Sequence, residues 1–346
     1  MRLLSGLFIC LFPLWAVATE QPLAIALHGG AGTIERDRMS AEVEAEYRSF
    51  LDKAISEGYQ QLQAGEDGLD VVVAIIQRME DSPLFNAGKG SVYTWDGQHE
   101  LDASIMHGAK MDAGAVAGVT TVQSPIALAR AVMEQSPHVM LASQGAEQFA
   151  KELDIPEVLP AYFETDRRKR ALESYKARTQ AGIEPRVDYK FGTVGVVVLD
   201  SKGNLVAGTS TGGMTGKRWG RIGDAPVIGA GTYADNRSCA VSATGHGEYF
   251  IRHTVARDIC ARMQFAEQKL QEAAETVIMD ELVTAGGDGG VVAVDASGEV
   301  SMVFNTPGMY RASVSGSGEK RIGIFGDEPY APVDEIPCRF RRQVIR

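Results

Sequence analysis

The sequence predicts a layered α/β sandwich, and three observations predict it. Two stretches, residues 196–214 and 291–309, align without gaps at an offset of 95 residues. Each reads as an apolar strand, an Asp-x-x-Gly turn, a second strand and a Thr-x-Gly-Met ending, so two similar sheet halves built from hairpins are expected. Between them, residues 253–283 carry helical periodicity, and upstream Leu69, Val72, Val73, Ile76 and Met79 recur at helical spacing. Strands and helices interleaved in this way bury their apolar faces by stacking in layers.

At the N-terminus, "MRLLSGLFICLFPLWAVATEQP" has one Arg, an apolar run and then Ala16-Val17-Ala18. This is the order of a secretory signal peptide, so residues 1–18 are expected to be removed and the mature protein to be periplasmic or secreted. The run is short for a transmembrane span and no later segment is long and apolar enough for one, so no membrane partner is expected after signal removal. Residues 23–27 read as a short strand entering a glycine-rich turn, His28-Gly29-Gly30-Ala31-Gly32. The turn lacks the spacing of a dinucleotide fingerprint and the lysine of a P-loop. A helix is predicted over residues 40–63, and Ser124-Pro125 starts another, with a hydroxyl cap and proline at the first helical position. Residues 165–190 hold eight Lys/Arg and four Asp/Glu among few apolar residues. They read as a flexible linker whose basic run, 167–170, is a solvated patch.

The 346 residues, 45% hydrophobic, suffice for one large domain or two smaller ones. The net charge is -11 and the cations are scattered outside that one run, which excludes a nucleic-acid partner. Once Cys10 leaves with the signal, Cys239, Cys260 and Cys338 allow one disulfide at most. Six histidines show no metal-ligand spacing such as H-E-x-x-H, so His107 and His246 read as pocket-rim variation rather than as ligands or a catalytic base.

Glycine recurs beside hydroxyl, amide or charged side chains in "HGGAG", "LFNAGKGSVYT", "ELDASIM", "MDAGAVAGV", "GTVG", "TSTGGMTGK", "GRIGDAPVIGAGTYAD" and "SATGHGEYFIR". In this order and spacing they resemble the plant-type L-asparaginases, also called isoaspartyl peptidases or β-aspartyl-peptidases, which are N-terminal-nucleophile (Ntn) hydrolases. The resemblance spans essentially the whole mature chain and is weakest in the linker and the last twenty-odd residues. It implies the four-layer αββα sandwich of the Ntn-hydrolase type. It also implies an inactive precursor that cuts its own backbone at Gly192-Thr193. The products would be an α subunit, 19–192, and a β subunit, 193–346, which together form one domain and pair as an (αβ)2 heterotetramer. All three retained cysteines lie in the β subunit, so no disulfide would join it to the α subunit.

Physical chemistry gives that cut a purpose. A threonine hydroxyl is a weak nucleophile, but a freed α-amine with a reference pKa of about 7.7–8.0 accepts its proton. By resemblance, Thr193 is the nucleophile and Thr211 the threonine beside it. Thr244 and Gly245 stabilise the oxyanion, and Asn86 lies close to the nucleophile. Arg221, Ile222, Gly223, Asp224, Thr244, Gly245, His246 and Gly247 form the substrate site, in which Arg221 grips the α-carboxylate and Asp224 the α-ammonium. No cofactor is required for catalysis, and some members carry a structural sodium on backbone carbonyls at the positions of Met79, Glu80, Ser82, Phe85, Ala87 and Lys89. The substrates implied are L-asparagine and isoaspartyl dipeptides. This sequence departs from the usual pattern at Lys190-Phe191-Gly192, which bears on the rate of self-cleavage, and at His107, where an Asp is usual. Two alternatives stand beside this reading: a glycosylasparaginase, and a secreted amino-acid-binding protein without chemistry, which would have no reason to break before Thr193.

Overall fold

The computed structural model describes residues 21–183 and 192–328. The expected signal segment, Cys10, Cys338 and the end of the expected linker lie outside the described residues. Before Gly192 the chain forms β1 (Ala24–Gly32), α1 (Ala41–Gln63), α2 (Gly68–Glu80), β2 (Leu101–His107), β3 (Asp112–Val119), α3 (Pro125–Gln135), β4 (Met140–Ala142), α4 (Ser143–Glu152) and α5 (Asp166–Gln180). After it come β5 (Val194–Leu199), β6 (Leu205–Thr211), β7 (Thr232–Ala234), β8 (Cys239–Gly245), α6 (Gly247–His253), α7 (Val255–Ala266), α8 (Leu270–Glu275), α9 (Leu282–Ala285), β9 (Gly289–Asp295), β10 (Val300–Ser301), β11 (Gly308–Val314) and β12 (Lys320–Phe325).

The strands form an eight-stranded sheet, β12-β11-β1-β5-β6-β2-β3-β4, and a four-stranded sheet, β10-β9-β8-β7. Side chains alternate across a strand, and here the alternation sorts by size and partner. Ile25, Leu27, Val194, Val196, Val198 and Val206 join the core beneath α1, α2 and α3. Their neighbours Ala24, Ala26, Val197, Leu199, Leu205 and Ala207 join a second core with β8, β9, α7 and α8. Alanine on the inner face of β1 lets the small sheet approach closely, whereas branched residues on the outer face fill the space under the helices. Three helices on the large sheet, α1, α2 and α3, start on a side-chain cap: Ser40 accepts from Val43 N–H, Asp67 from Leu69 N–H and Ser124 from Ala127 N–H. Among the described residues, no helix is long and apolar enough to cross a membrane.

Four expectations need correction. The two similar hairpins exist, but β5–β6 belongs to the large sheet and β9–β10 to the small one, so they face each other rather than share a sheet. The glycine-rich segment after Leu27 is strand as far as Gly32, because its glycines continue the pairing with β11 through a register shift between His28 and Ala31. The region expected as a flexible linker is helical over α5, capped by Thr165, which accepts from Arg168 N–H. Its basic run is not all solvated: Arg168 and Leu172, four residues apart on one face, are buried. Cys239 and Cys260 form a disulfide between β8 and α7, within the limit of one that the cysteine count allows.

Gly208 in β6 marks where α2 sits closest to the sheet, since a methyl there would lie 2.6 Å from Val72 Cγ1 and 2.9 Å from Ile76 Cδ1. Gly208→Val is expected to overpack this seam by about 1–3 kcal/mol and to lower the thermal unfolding midpoint, read by circular dichroism. An unchanged midpoint would show that the seam has slack.

Candidate active site

Thr193 stands at the mouth of β5, half-buried and directly after the buried Gly192. Its hydroxyl meets that of Thr211, the last residue of β6, with 3.0 Å between the oxygens, and Gly213 N–H donates to Thr211 Oγ1 at 3.1 Å. The β5–β6 register, which pairs Val194 with Ser210, places the two threonines side by side.

Both carbonyls at the junction are held. Asn86 N–H donates to Gly192 O at 2.9 Å, and the buried Asn86 side chain is itself fixed by Val92 N–H to Oδ1 and Nδ2–H to Gly213 O, each 2.8 Å. His28 Nδ1 lies 3.1 Å from Thr193 O, and its Nε2 lies 3.0 Å from Ser242 Oγ. A carbonyl only accepts, so Nδ1 carries the proton and Nε2 accepts from the serine hydroxyl. Burial supports this neutral form by pushing the imidazole pKa down to about 3. Ser242 Oγ continues into a buried hydroxyl chain through Thr209 (2.7 Å) and Thr232 (2.6 Å) to Ser104 (2.7 Å). Sequence reasoning missed His28 in this role. The one signal was a glycine at 195, directly opposite it in the β1–β5 register. A methyl on Gly195 would lie 1.9 Å from Ser242 Oγ and 2.4 Å from His28 Nε2.

Arg221 and Asp224 lie close together. A methyl on Gly247 would sit 2.8 Å from Arg221 Nη2 and 2.9 Å from Asp224 Oδ1, so both groups flank one glycine, and Gly223 is equally close to the guanidinium. Asp224 is buried, its Oδ2 has no hydrogen-bond partner among the described residues, and burial pushes its carboxyl up to about 7. The Arg221 fork is already filled by Glu248, with Nε to Oε1 and Nη2 to Oε2 both at 2.9 Å. His246 Nε2 lies 3.3 Å from the same carboxylate. Glu248 was not singled out in the sequence, although it closes the "TGHGE" motif. Ile222 is 39% exposed. Thr244 is buried two residues beyond Ser242 and on the same face, where its Oγ1 accepts from Ala31 N–H at 3.3 Å. Gly245 pairs with Gly289, and a methyl on Gly245 would meet Asp288 O at 2.5 Å.

Two further charges lie under this site. Asp102, opposite Thr211 in the β2–β6 register, accepts from Gly118 N–H at 2.8 Å and faces the buried Lys217 ammonium at 3.9 Å. Lys217 also donates to Glu100 O at 2.9 Å. His107 does not line the site: it is buried at the opposite end of β2, where it pairs with Val206, so the expectation that it belongs to the rim is corrected.

The loop from Met79 to Gly90 shows what could hold a cation. Gly88 and Gly90 take positive φ, and methyls on them would lie 2.4 Å from Glu80 O, 2.8 Å from Pro83 O and 2.9 Å from Phe85 O. These carbonyls line a cradle that only glycine leaves open. Two carbonyls of the expected set are already engaged, Met79 O accepting from Ser82 and Asp81 N–H and Glu80 O from Lys89 N–H at 2.7 Å. The Glu80 side chain is turned elsewhere. It accepts from Ser124 Oγ (2.6 Å), Ser210 Oγ (2.6 Å) and Ile126 N–H (3.1 Å), tying α2, α3 and β6 together beside Thr211, and burial pushes its carboxyl up to about 7.

A family model described as Asparaginase matches residues 21–324. The isoaspartyl peptidase of Escherichia coli (strain K12) is 47% identical over 309 residues, covering 88% of this chain and 96% of that protein. The isoaspartyl peptidase/L-asparaginase of Xenopus laevis is 40% identical over 314 residues, 90% of this chain and 98% of the relative. The protein of the same name from Mus musculus is 38% identical over 317 residues, 91% and 94%.

Buried Asp224 and Glu80 both hold their protons more tightly folded than unfolded. From about pH 4, where unfolded carboxyls ionise, up to about pH 7, these two groups hold more protons in the folded chain, so their contribution to unfolding free energy falls as pH rises and then levels off, while His28, whose pKa burial lowers to about 3, works the other way below about pH 6.5. Urea unfolding between roughly pH 4.5 and pH 8 should show wild type losing stability relative to Glu80→Gln as pH rises. A wild-type-minus-variant difference that stays flat with pH would contradict the burial argument for Glu80.

Proposed function

The chain belongs to the asparaginase family, and from that premise we propose how its own residues act. It is a hydrolase of isoaspartyl peptides and L-asparagine, of the Ntn class. The observation that carries the mechanism is the 3.0 Å contact between the Thr193 and Thr211 hydroxyls at a Gly-Thr junction.

In the proposed self-cleavage, Thr193 Oγ1 adds to the Gly192 carbonyl carbon, the C–N bond breaks, and water then releases a Gly192 carboxylate and a free Thr193 amine. Asn86 N–H already points at the Gly192 oxygen, the atom that becomes an oxyanion in that step. Before the cut the Thr193 nitrogen is an amide and cannot act as a base. Afterwards it takes the hydroxyl proton, Oγ1 bonds to the substrate's β-carbonyl carbon, and the leaving amine departs with a proton. Water then frees aspartate from the β-aspartyl ester. His28 holds the Thr193 carbonyl, and the β-branched side chain restricts χ1, so the nucleophile is oriented from both sides. Thr244 and Gly245 supply oxyanion donors, and Thr211 stands beside the nucleophile. Arg221 and Asp224 read the α-carboxylate and α-ammonium, with the substrate carboxylate taking the place that Glu248 fills.

The wider reading follows from the same premise. Helices on the outer faces of two packed sheets support the four-layer αββα arrangement. We read the subunits as 19–192 and 193–346, paired as an (αβ)2 heterotetramer, and the first eighteen residues as a signal peptide for periplasm or export. A structural sodium on carbonyls of this loop, that of Phe85 among them, would stiffen the segment carrying Asn86; no catalytic cofactor enters the mechanism. A glycosylasparaginase is less favoured, since the relatives above carry isoaspartyl peptidase names.

Two outcomes test this reading. Purified wild-type protein at neutral pH should yield two fragments, one beginning at Thr193 by intact mass, whereas Thr193→Ala stays whole and inactive. A wild-type chain that never cuts would remove Thr193 as an N-terminal nucleophile. For Asp224, kcat/KM should decline as pH falls through about 7, because the neutral carboxyl no longer holds the α-ammonium. Asp224→Asn should lower kcat/KM roughly ten- to a hundredfold and erase that inflection; a variant that retains it would assign the inflection to another group.

A further inference from the structure

A cavity of about 640 Å³ opens between α5 and the segment joining β1 to α1, and it reaches Gly192 and Gly213. Five arginines line it, Arg38, Arg167, Arg168, Arg170 and Arg178, against a single acid, Glu35. Glu35 pairs with Arg38 at 2.8 Å. Arg167 is spent on neutral oxygens, donating to Tyr47 Oη and to the carbonyls of Pro83 and Leu84. Arg168 is the unusual one. It is more than nine-tenths buried, its Nε donates to Gly90 O at 2.7 Å, and no carboxylate pairs with it among the described residues. Its Nη2 lies 3.3 Å from where a methyl on Gly192 would stand. Burial of an unpaired guanidinium costs several kcal/mol by order of magnitude, so its retention calls for an anionic partner.

The chemistry of the neighbouring bond says where that partner would come from. The leaving amine takes its proton from the Thr193 α-nitrogen, the atom bonded to Gly192 until the cut. The leaving group therefore departs on the Gly192 side of the nucleophile, the side on which the cavity lies. Arg221 and Asp224 recognise the aspartyl half and contribute nothing to this side. We propose that the arginine-lined cavity is a leaving-group subsite in which Arg168 pairs with the free α-carboxylate of the residue joined to the β-aspartyl group. The subsite favours isoaspartyl dipeptides over L-asparagine, whose leaving ammonia has no carboxylate. This deepens the reading of Thr193 as nucleophile and rests on it.

The test compares, on the processed wild-type enzyme, an isoaspartyl dipeptide with a free C-terminus, the same dipeptide as its C-terminal amide, and L-asparagine. Amidation should lower kcat/KM about ten- to a hundredfold, mainly through KM, as for a lost charge-assisted hydrogen bond. In Arg168→Met the free and amidated dipeptides should converge, and Arg168→Lys should restore part of the difference. If Arg168→Met does not fold or process, the wild-type comparison decides alone. Equal rates on free and amidated dipeptide, with asparagine hydrolysed, would overturn the subsite and leave Thr193 in place. No hydrolysis of any of the three would overturn the nucleophile reading and the subsite with it.

Discussion

The junction between Gly192 and Thr193 is gripped through its two carbonyl oxygens, and much of the surrounding structure follows from the need to grip it. The donor on the first is the Asn86 amide and the donor on the second is the His28 imidazole, one from the loop after α2 and the other from β1. Each donor is then fixed in turn, Asn86 by Val92 and Gly213 and His28 by Ser242. Such a lattice leaves no room for side chains, so the positions facing it are glycine. At Gly212 a methyl would lie 2.7 Å from Asn86 Oδ1, and at Gly195 it would enter the van der Waals shell of both His28 and Ser242. A hydrogen-bonded peptide with a fixed hydroxyl beside it is the preorganisation that acyl-transfer chemistry requires.

How much of this was legible in the sequence depends on whether a residue's role was local. Caps, amphipathic helices and hairpins are local, and Ser40, Ser124 and the β5–β6 turn were read where they stand. The hydroxyl pair and the Arg221–Asp224 pair were placed by the order of motifs; the β5–β6 register brings the first together, and the second meets in the segment between β6 and β7. What was not legible required knowing which strands become neighbours. His28 and Ser242 are separated by more than two hundred residues, and nothing local announces that a histidine beginning a glycine run will point across to the small sheet. The basic run before Thr193 failed for a related reason: composition registers charge, but not that one arginine of a helix faces inward beside Leu172. The two hairpins misled in the opposite direction, because their likeness suggested one sheet although they sit in two.

The site concentrates ionisable groups where water does not reach. Asp102, Asp224, Glu80, Lys217 and His28 are all buried within the few strands around Thr193. A chain selected only for stability would fill these positions with apolar side chains of similar volume. Their cost is offset by the two cores on either side, in which β1 and β5 are covered on both faces. His28 and Asp102 sit on β1 and β2 and Glu80 ends α2, whereas Lys217, Arg221 and Asp224 lie in the segment between β6 and β7.

Strand order carries a consequence for assembly. β1 lies between β11 and β5, while β2, β3 and β4 continue the sheet beyond β6. A cut at Gly192 leaves β1–β4 on one polypeptide and all the other strands on the second, so the pieces are threaded through each other rather than docked at a face. Neither could depart without opening the middle of the large sheet. Separation and unfolding then become one event, and its reversal, unimolecular for the uncut chain, becomes an encounter between two polypeptides whose rate depends on their concentrations. If the chain is cut at Gly192 as proposed, only the uncut form would fold as a single molecule, and the cut protein's native state would depend on how slowly that sheet opens.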